Sequence, residues 1–324
     1  MGPEIKFVVF ASLSVICFVL GYGSRVRGWI EEDVSRKIHF FTVVVLWSSL
    51  SFFGIWKGGV PQLNHGWVLV VQPVSMLLLM GMSWPLAKWI GCDKPRQGVM
   101  MVCGALCNSG STMGSFLCYV WLAEDRDRAF GVGIEYVTVM SFACVLLIYP
   151  LARKFSPVEA SEESVPRLMF KSLGDIRSLS MYTAVAGVIL ASLEVPVPGI
   201  LAGEWLTLLL IFGACVGGYF AIGMRIRLGD GLEHLKHHGV LALVRFIVAP
   251  LVTLLLLWLI GFAPHQPDRL MMTVYMILSI MPTAILSVAV ANLFHLDARM
   301  AASLWFWNTV IFLIFVLPVL WFVV

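Results

Sequence analysis

Apolar runs of membrane-crossing length recur along the whole chain, each closed by a short polar or charged stretch. A crossing helix needs about 20 mostly apolar residues, with a usual range of about 17–25. Ten spans are expected on that measure, near residues 5–22, 38–56, 66–90, 97–122, 129–151, 179–194, 204–224, 239–261, 270–294 and 300–324. The sixth is the shortest and runs into VPVPG, where Pro196 and Pro198 stop a helix. Two spans carry an interruption at mid-depth. The fourth contains ALCNSGSTMG, Ala105 to Gly114, and the ninth contains LSIMPTAILSV with Pro282 at its centre. Glycine lowers the cost of leaving helical geometry, and proline removes a backbone donor and crowds the carbonyl four residues earlier. Both segments are therefore expected to break. Non-helical backbone at that depth survives only when buried in protein or lining a watery cavity. Taken singly, the glycines also suit close helix packing and Pro282 a tolerated kink.

Composition agrees with a polytopic membrane protein. Of 324 residues, 60% are hydrophobic and 13% charged, and the mean hydropathy is +0.91; soluble domains have about 45–50% apolar and about 25% charged residues. The net charge of +3 is spread over short loops, so nucleic acid is not an expected partner. Six of the seven cysteines lie within apolar segments and read as small core residues. The first apolar run has no small-residue cleavage site and reads as a retained helix, and Pro3 and Lys6 spoil a myristoylation pattern at Gly2.

The one long polar segment, residues 153–178, divides five spans (1–152) from five spans (179–324) and reads as a cytoplasmic linker. With the amino terminus outside, 16 Lys and Arg fall on the cytoplasmic side and 5 on the other, so both termini are expected to be extracytoplasmic. An odd number of spans per half makes any internal similarity an inverted repeat. Matches occur in order: Ile5 with Leu179, Gln72-Pro73 with Ala249-Pro250, Asn108 with Pro282, and Pro150 with Pro318. Inverted repeats with interrupted helices at corresponding positions point to a secondary transporter. The expected fold is all-α, with ten transmembrane helices in two inverted five-helix repeats and helices four and nine discontinuous. If those two cross, four half-helix ends meet near the bilayer centre, N-terminal ends suited to an anion and carbonyl ends suited to a cation.

At LGYGSRVRGWI after the first span, Asn108-x-Gly110, the AP pair Ala249-Pro250, MPTA from Met281 to Ala284, and LDARMAAS before span ten, the chain resembles the auxin efflux carrier family. That family includes the plant PIN-formed carriers and bacterial organic-acid permeases. The resemblance implies a fold shared with bile acid:sodium symporters, with a scaffold (1–56 plus 179–224) and a transport core (66–151 plus 239–324). It also implies that spans four and nine cross at the substrate, where Asn108, Gly110, Pro282 and Thr283 hold a carboxylate-bearing solute; Ser109, between the first two, is a further candidate. The chain departs from the family's pattern at three places: Trp47 replaces a span-two proline, Glu135 and Thr138 stand for an Asp and an Asn, and Trp305 and Trp307 replace small residues.

Glu135, Thr138, Asn308 and Gln72 are candidates for coupling a proton or sodium ion; an interfacial position for Glu135 and ordinary interhelical hydrogen bonds for the others are the competing readings. Ser48, Trp305 and Trp307 are candidate pocket-lining residues. Arg245 suits either an anion or, as the favoured reading, a side chain that snorkels to the cytoplasmic interface. His234, His237 and His238 have ligand-like spacing but read as a solvated turn, and no metal site is expected. With no acid–base pair at membrane depth and no phosphate cradle, no catalytic residues are expected and the chain is not read as an enzyme. The expected function is a secondary carrier, an exporter, of an organic anion. It would work by an elevator-like shift driven by membrane potential or a proton gradient, with no cofactor beyond H+ or Na+ as coupling ion. The alternatives are a sodium-coupled symporter of bile acid-like anions and a sensor that keeps the carrier fold. The expected location is the plasma membrane, the inner membrane in a bacterium. Lipid and the solute are the expected partners, and a homodimer would form through scaffold helices.

Overall fold

A computed structural model describes residues 3–58, 68–110, 113–122, 125–158, 163–227, 229, 234–261 and 269–323. The start of the third expected span at residues 66–67, Ser111 and Thr112 of the polar run, residues 159–162 of the linker, and Val324 at the end of the tenth span lie outside them. The described residues are helical, apart from connections and one isolated antiparallel bridge between Cys107 and Thr283. Among the described residues, six helices are long and apolar enough to cross a membrane: 34–57, 70–89, 131–155, 205–225, 235–260 and 298–320. A seventh is added if 165–173 and 176–192, bent by 73° at their junction, count as one span. The segment read as a plain linker therefore contains a helix, Val165–Leu173, begun by Pro166 in its first turn.

The chain divides into two compact units, Met1–Gln62 with Glu163–Ile226, and Leu63–Glu162 with Arg227–Val324. In the first unit, Pro3–Val26 packs on Glu204–Arg225. The contact is set by two glycines. A Cβ on Gly21 would collide with the carbonyl oxygen of Phe220, and one on Gly223 with that of Phe18, so each helix presents a missing side chain to the other's backbone. At the end of this pair Arg225 bonds Glu32 Oε1 at 3.0 Å and Ser35 Oγ at 3.2 Å. Ser35 in turn donates to the Ala221 carbonyl.

Among the described residues, four long helices contain a π-helical turn, at Thr42–Trp47, Cys144–Ile148, Val244–Val248 and Phe312–Val316. Three of them end two residues before a proline, Pro150, Pro250 or Pro318. A proline offers no N–H to the carbonyl four residues back and pushes against it, and widening the turn by one residue relieves both effects without breaking the helix. The fourth lies where the span-two proline is replaced by Trp47, so the backbone departs from regular geometry there without one. Pro73 and Pro85, by contrast, are accommodated inside Val68–Trp89.

In the second unit, two aspartates start two helices and are tied together. Asp93 accepts from the Arg96 N–H at the head of Lys94–Ala105, Asp297 accepts from the Met300 N–H at the head of Ala298–Ile311, and Arg96 Nε reaches Asp297 at 3.1 Å. The buried core of this unit gathers around Tyr136 and Tyr275, whose rings meet edge-on at 5.1 Å, with Leu278, Met281 and Phe312. That core carries the two interrupted segments.

Candidate functional site

Both interruptions are real breaks. The helix Lys94–Ala105 stops at Leu106, whose extended backbone turns the chain away, and a new helix runs from Gly114 to Trp121. Likewise Arg269–Ser279 stops before Met281-Pro282, and Ile285–Leu293 resumes after Ala284. None of these four pieces is long enough to cross a membrane alone. The two non-helical stretches lie side by side and pair at a single antiparallel bridge. The Asn108 N–H donates to the Pro282 carbonyl at 2.7 Å, and the Ala284 N–H to the Leu106 carbonyl at 3.0 Å, framing the Cys107–Thr283 bridge. Each break supplies the partners the other lost.

Thr283 is the centre of this arrangement. Its side chain is fully buried, and Oγ1 donates to the Cys103 carbonyl at 2.8 Å and lies 3.2 Å from Ser287 Oγ. Its N–H, stripped of a helical partner by the break, donates to Asn308 Oδ1 at 2.9 Å. That bond fixes which way the Asn308 amide points, and the buried Nδ2 is left without a hydrogen-bond partner. Asn308 is on Ala298–Ile311, so a third helix is joined to the crossing. On the other side, the Ser109 carbonyl accepts from the N–H and Oγ of Ser115, and the Asn108 carbonyl from the N–H of Gly114. The polar run thus closes the start of its own half-helix, whereas Ile285–Leu293 begins with no side-chain cap.

The carbonyl ends are held by Arg245. This side chain is 1% exposed and sits in the π-helical turn before Pro250. Nη1 donates to the Gly104 carbonyl at 3.1 Å, Nη2 to Ser279 at 2.9 Å and Met281 at 2.8 Å, and Nε to Met281 at 3.2 Å. One guanidinium therefore binds the ends of both upstream half-helices. The snorkelling expected of Arg245 is corrected: an interfacial head group would be wet, and this one is enclosed by backbone oxygens.

A family model for membrane transport proteins matches residues 7–321. The chain belongs to the auxin efflux carrier family. No individual curated protein matches it as a relative. Members of the family are membrane transporters, and this one is a multi-pass membrane protein.

Within this carrier the structure brings together Asn108, Ser109, Pro282, Thr283 and Asn308, all buried. Gly110 is partly exposed, and a Cβ there would meet nothing within 4 Å. Gln72 is buried on Val68–Trp89 and donates within its own helix to Met76 Sδ. Glu135 and Thr138 are partly exposed on Arg126–Ala143. Trp305 is buried, and Trp307, 36% exposed, has its ring 6.4 Å from that of His238. Ser48 is in the first unit, near the backbone of Val43 at the π-helical turn. The histidines are not a solvated turn: His234 and His238 are buried, and His238 Nε2 lies 3.4 Å from Ser303 Oγ. Among the described residues no group of three or more His, Cys, Asp or Glu is placed to hold a metal.

Proposed function

We propose that this carrier moves an organic anion, a carboxylate-bearing solute, held where the two broken helices cross. The observation that carries the reading is an unused amide donor beside a helix start. The half-helix Ile285–Leu293 opens on the crossing without a side-chain cap, and Asn308, anchored to Thr283 two residues before it, keeps a buried Nδ2 without an acceptor. The start of a helix carries partial positive charge and N–H groups that suit a carboxylate. An amide donor beside it adds direction. Asn108 and Ser109, on the facing segment, complete the proposed lining.

The remaining architecture follows from that reading. Adding Pro3–Val26 and the two broken helices to the seven other spans gives ten, arranged as inverted halves. The π-helical turns at Cys144–Ile148 and Phe312–Val316, 168 residues apart and each followed by a proline, support the repeat. We assign the first compact unit as scaffold and the second as the moving core of an elevator, with both termini extracytoplasmic. With the cell interior negative, potential alone would favour export of a monoanion by about 2.3 kcal/mol per charge per 100 mV.

The test is a thermal-shift screen of the purified protein against aliphatic, indole and bile acids, followed by flux into proteoliposomes at imposed potentials. Stabilising acids should lose their effect in Asn308→Ala and Asn108→Ala, and flux should rise as the compartment holding the anion is made negative. A ligand shift unchanged in both variants would place the substrate elsewhere. Binding without flux would make the chain a sensor.

A further inference from the structure

We propose that Arg245 is the resident cation of the crossing: its guanidinium occupies the carbonyl ends of the two broken helices, so that no sodium ion is bound there or coupled to transport. The proposal rests on the crossing being the transport site and concerns which ion completes it.

The carbonyl end of a half-helix carries partial negative charge, and two such ends brought together in a water-poor interior demand a cation. A mobile alkali ion would need several of those oxygens turned toward it at once. Here those of Cys103, Gly104, Leu106, Ser279, Met281 and Pro282 are already taken. Arg245 binds the carbonyls of Gly104, Ser279 and Met281 through all three of its nitrogens. Thr283 Oγ1 takes Cys103 and shares Leu106 with the Ala284 N–H, and the Asn108 N–H takes Pro282. Arg245 has no ion-pair partner among the described carboxylates, so its charge is spent on backbone dipoles rather than on a side chain. Planar donor geometry and permanent charge make a guanidinium suited to bridging oxygens that belong to two different helices. The turn that carries Arg245 is π-helical and ends two residues before Pro250.

A fixed cation has a functional consequence. With the carbonyl ends neutralised by a group that cannot leave, the helix starts at the crossing remain the unbalanced charge, and the anion alone balances them. The carrier should therefore be electrogenic for a monoanion, with one charge moved per solute and no cation moved with it.

The experiment uses the full chain in lipid nanodiscs without substrate, comparing wild type, Arg245→Gly and Arg245→Lys in sodium, potassium and choline chloride, with guanidinium chloride as the rescuing probe. Wild type should unfold at the same temperature in all three salts. Arg245→Gly should fall by roughly 10 °C, as loss of a buried charge partner does. Millimolar guanidinium, at concentrations that leave wild type unmoved, should restore much of that fall. Arg245→Lys, with one ammonium in place of a fork, should lie between the two. Saturable stabilisation of wild type by sodium over choline would overturn the proposal. So would Arg245→Gly and Arg245→Lys that match wild type, or an Arg245→Gly defect that guanidinium leaves unchanged. If Arg245→Gly cannot be purified even with guanidinium present throughout, the sodium comparison on wild type still decides. A failed organic-acid screen would defeat the proposed substrate while leaving these substrate-free measurements intact.

Discussion

Thr283 shows how much one small polar side chain can organise at membrane depth. Its hydroxyl and N–H together reach Cys103, Ser287 and Asn308, on three helices, and an unmet buried donor or acceptor costs about 1–3 kcal/mol. Thr283→Val, nearly isosteric but without the hydroxyl hydrogen, should lower stability by about that amount, whereas Thr283→Ser should lose less. Thermal unfolding in detergent reads the difference, and equal losses in the two variants would show that the methyl group, not the hydroxyl, matters. Asn308→Ala should combine a similar loss, from the orphaned Thr283 N–H, with loss of ligand stabilisation. Asn108 and Pro282 were legible as chemistry in the sequence because polar and helix-breaking residues are conspicuous among apolar ones. Arg245 was visible as an arginine in an apolar span but not as a structural cation, because its partners are backbone carbonyls, which carry no letter in a sequence.

At the scale of elements, prolines and glycines act through the backbone in opposite ways. Pro150, Pro250 and Pro318 each follow a widened turn that keeps a long helix continuous, whereas Pro282 lies at a break whose freed groups find partners on the facing segment. Whether a proline bends or breaks a span thus depends on what can satisfy the freed carbonyls. Gly21 and Gly223 bring two helices into backbone contact, while Gly23, two residues along the same helix, faces open space. Gly21→Ala should destabilise by about 1–3 kcal/mol through forced separation, and Gly23→Ala should leave stability unchanged or raise it slightly through helix propensity. Melting curves of the two variants check this, and similar behaviour would mean the helices can part at little cost. Asp297→Ala should cost about 1 kcal/mol through the lost helix cap, and Arg96→Ala less, because that ion pair is partly solvated.

For the whole molecule, the distribution of Lys and Arg makes a prediction about orientation. A protease site appended to the carboxyl terminus should be cleaved on intact cells, and cleavage only after permeabilisation would reverse the assignment. The sequence by itself determined that this is a polytopic helical membrane protein, where most of its apolar helices run, and which two of them would break. Those conclusions rest on transfer of side chains into lipid and on residues that cannot continue a helix, which are local properties. Only the folded arrangement decided that the breaks pair at an antiparallel bridge, that Asn308 is tied to them, and that Arg245 binds the carbonyl ends. Those outcomes depend on which freed backbone groups find each other across helices far apart in the chain, a competition among hydrogen-bond partners that no single segment encodes.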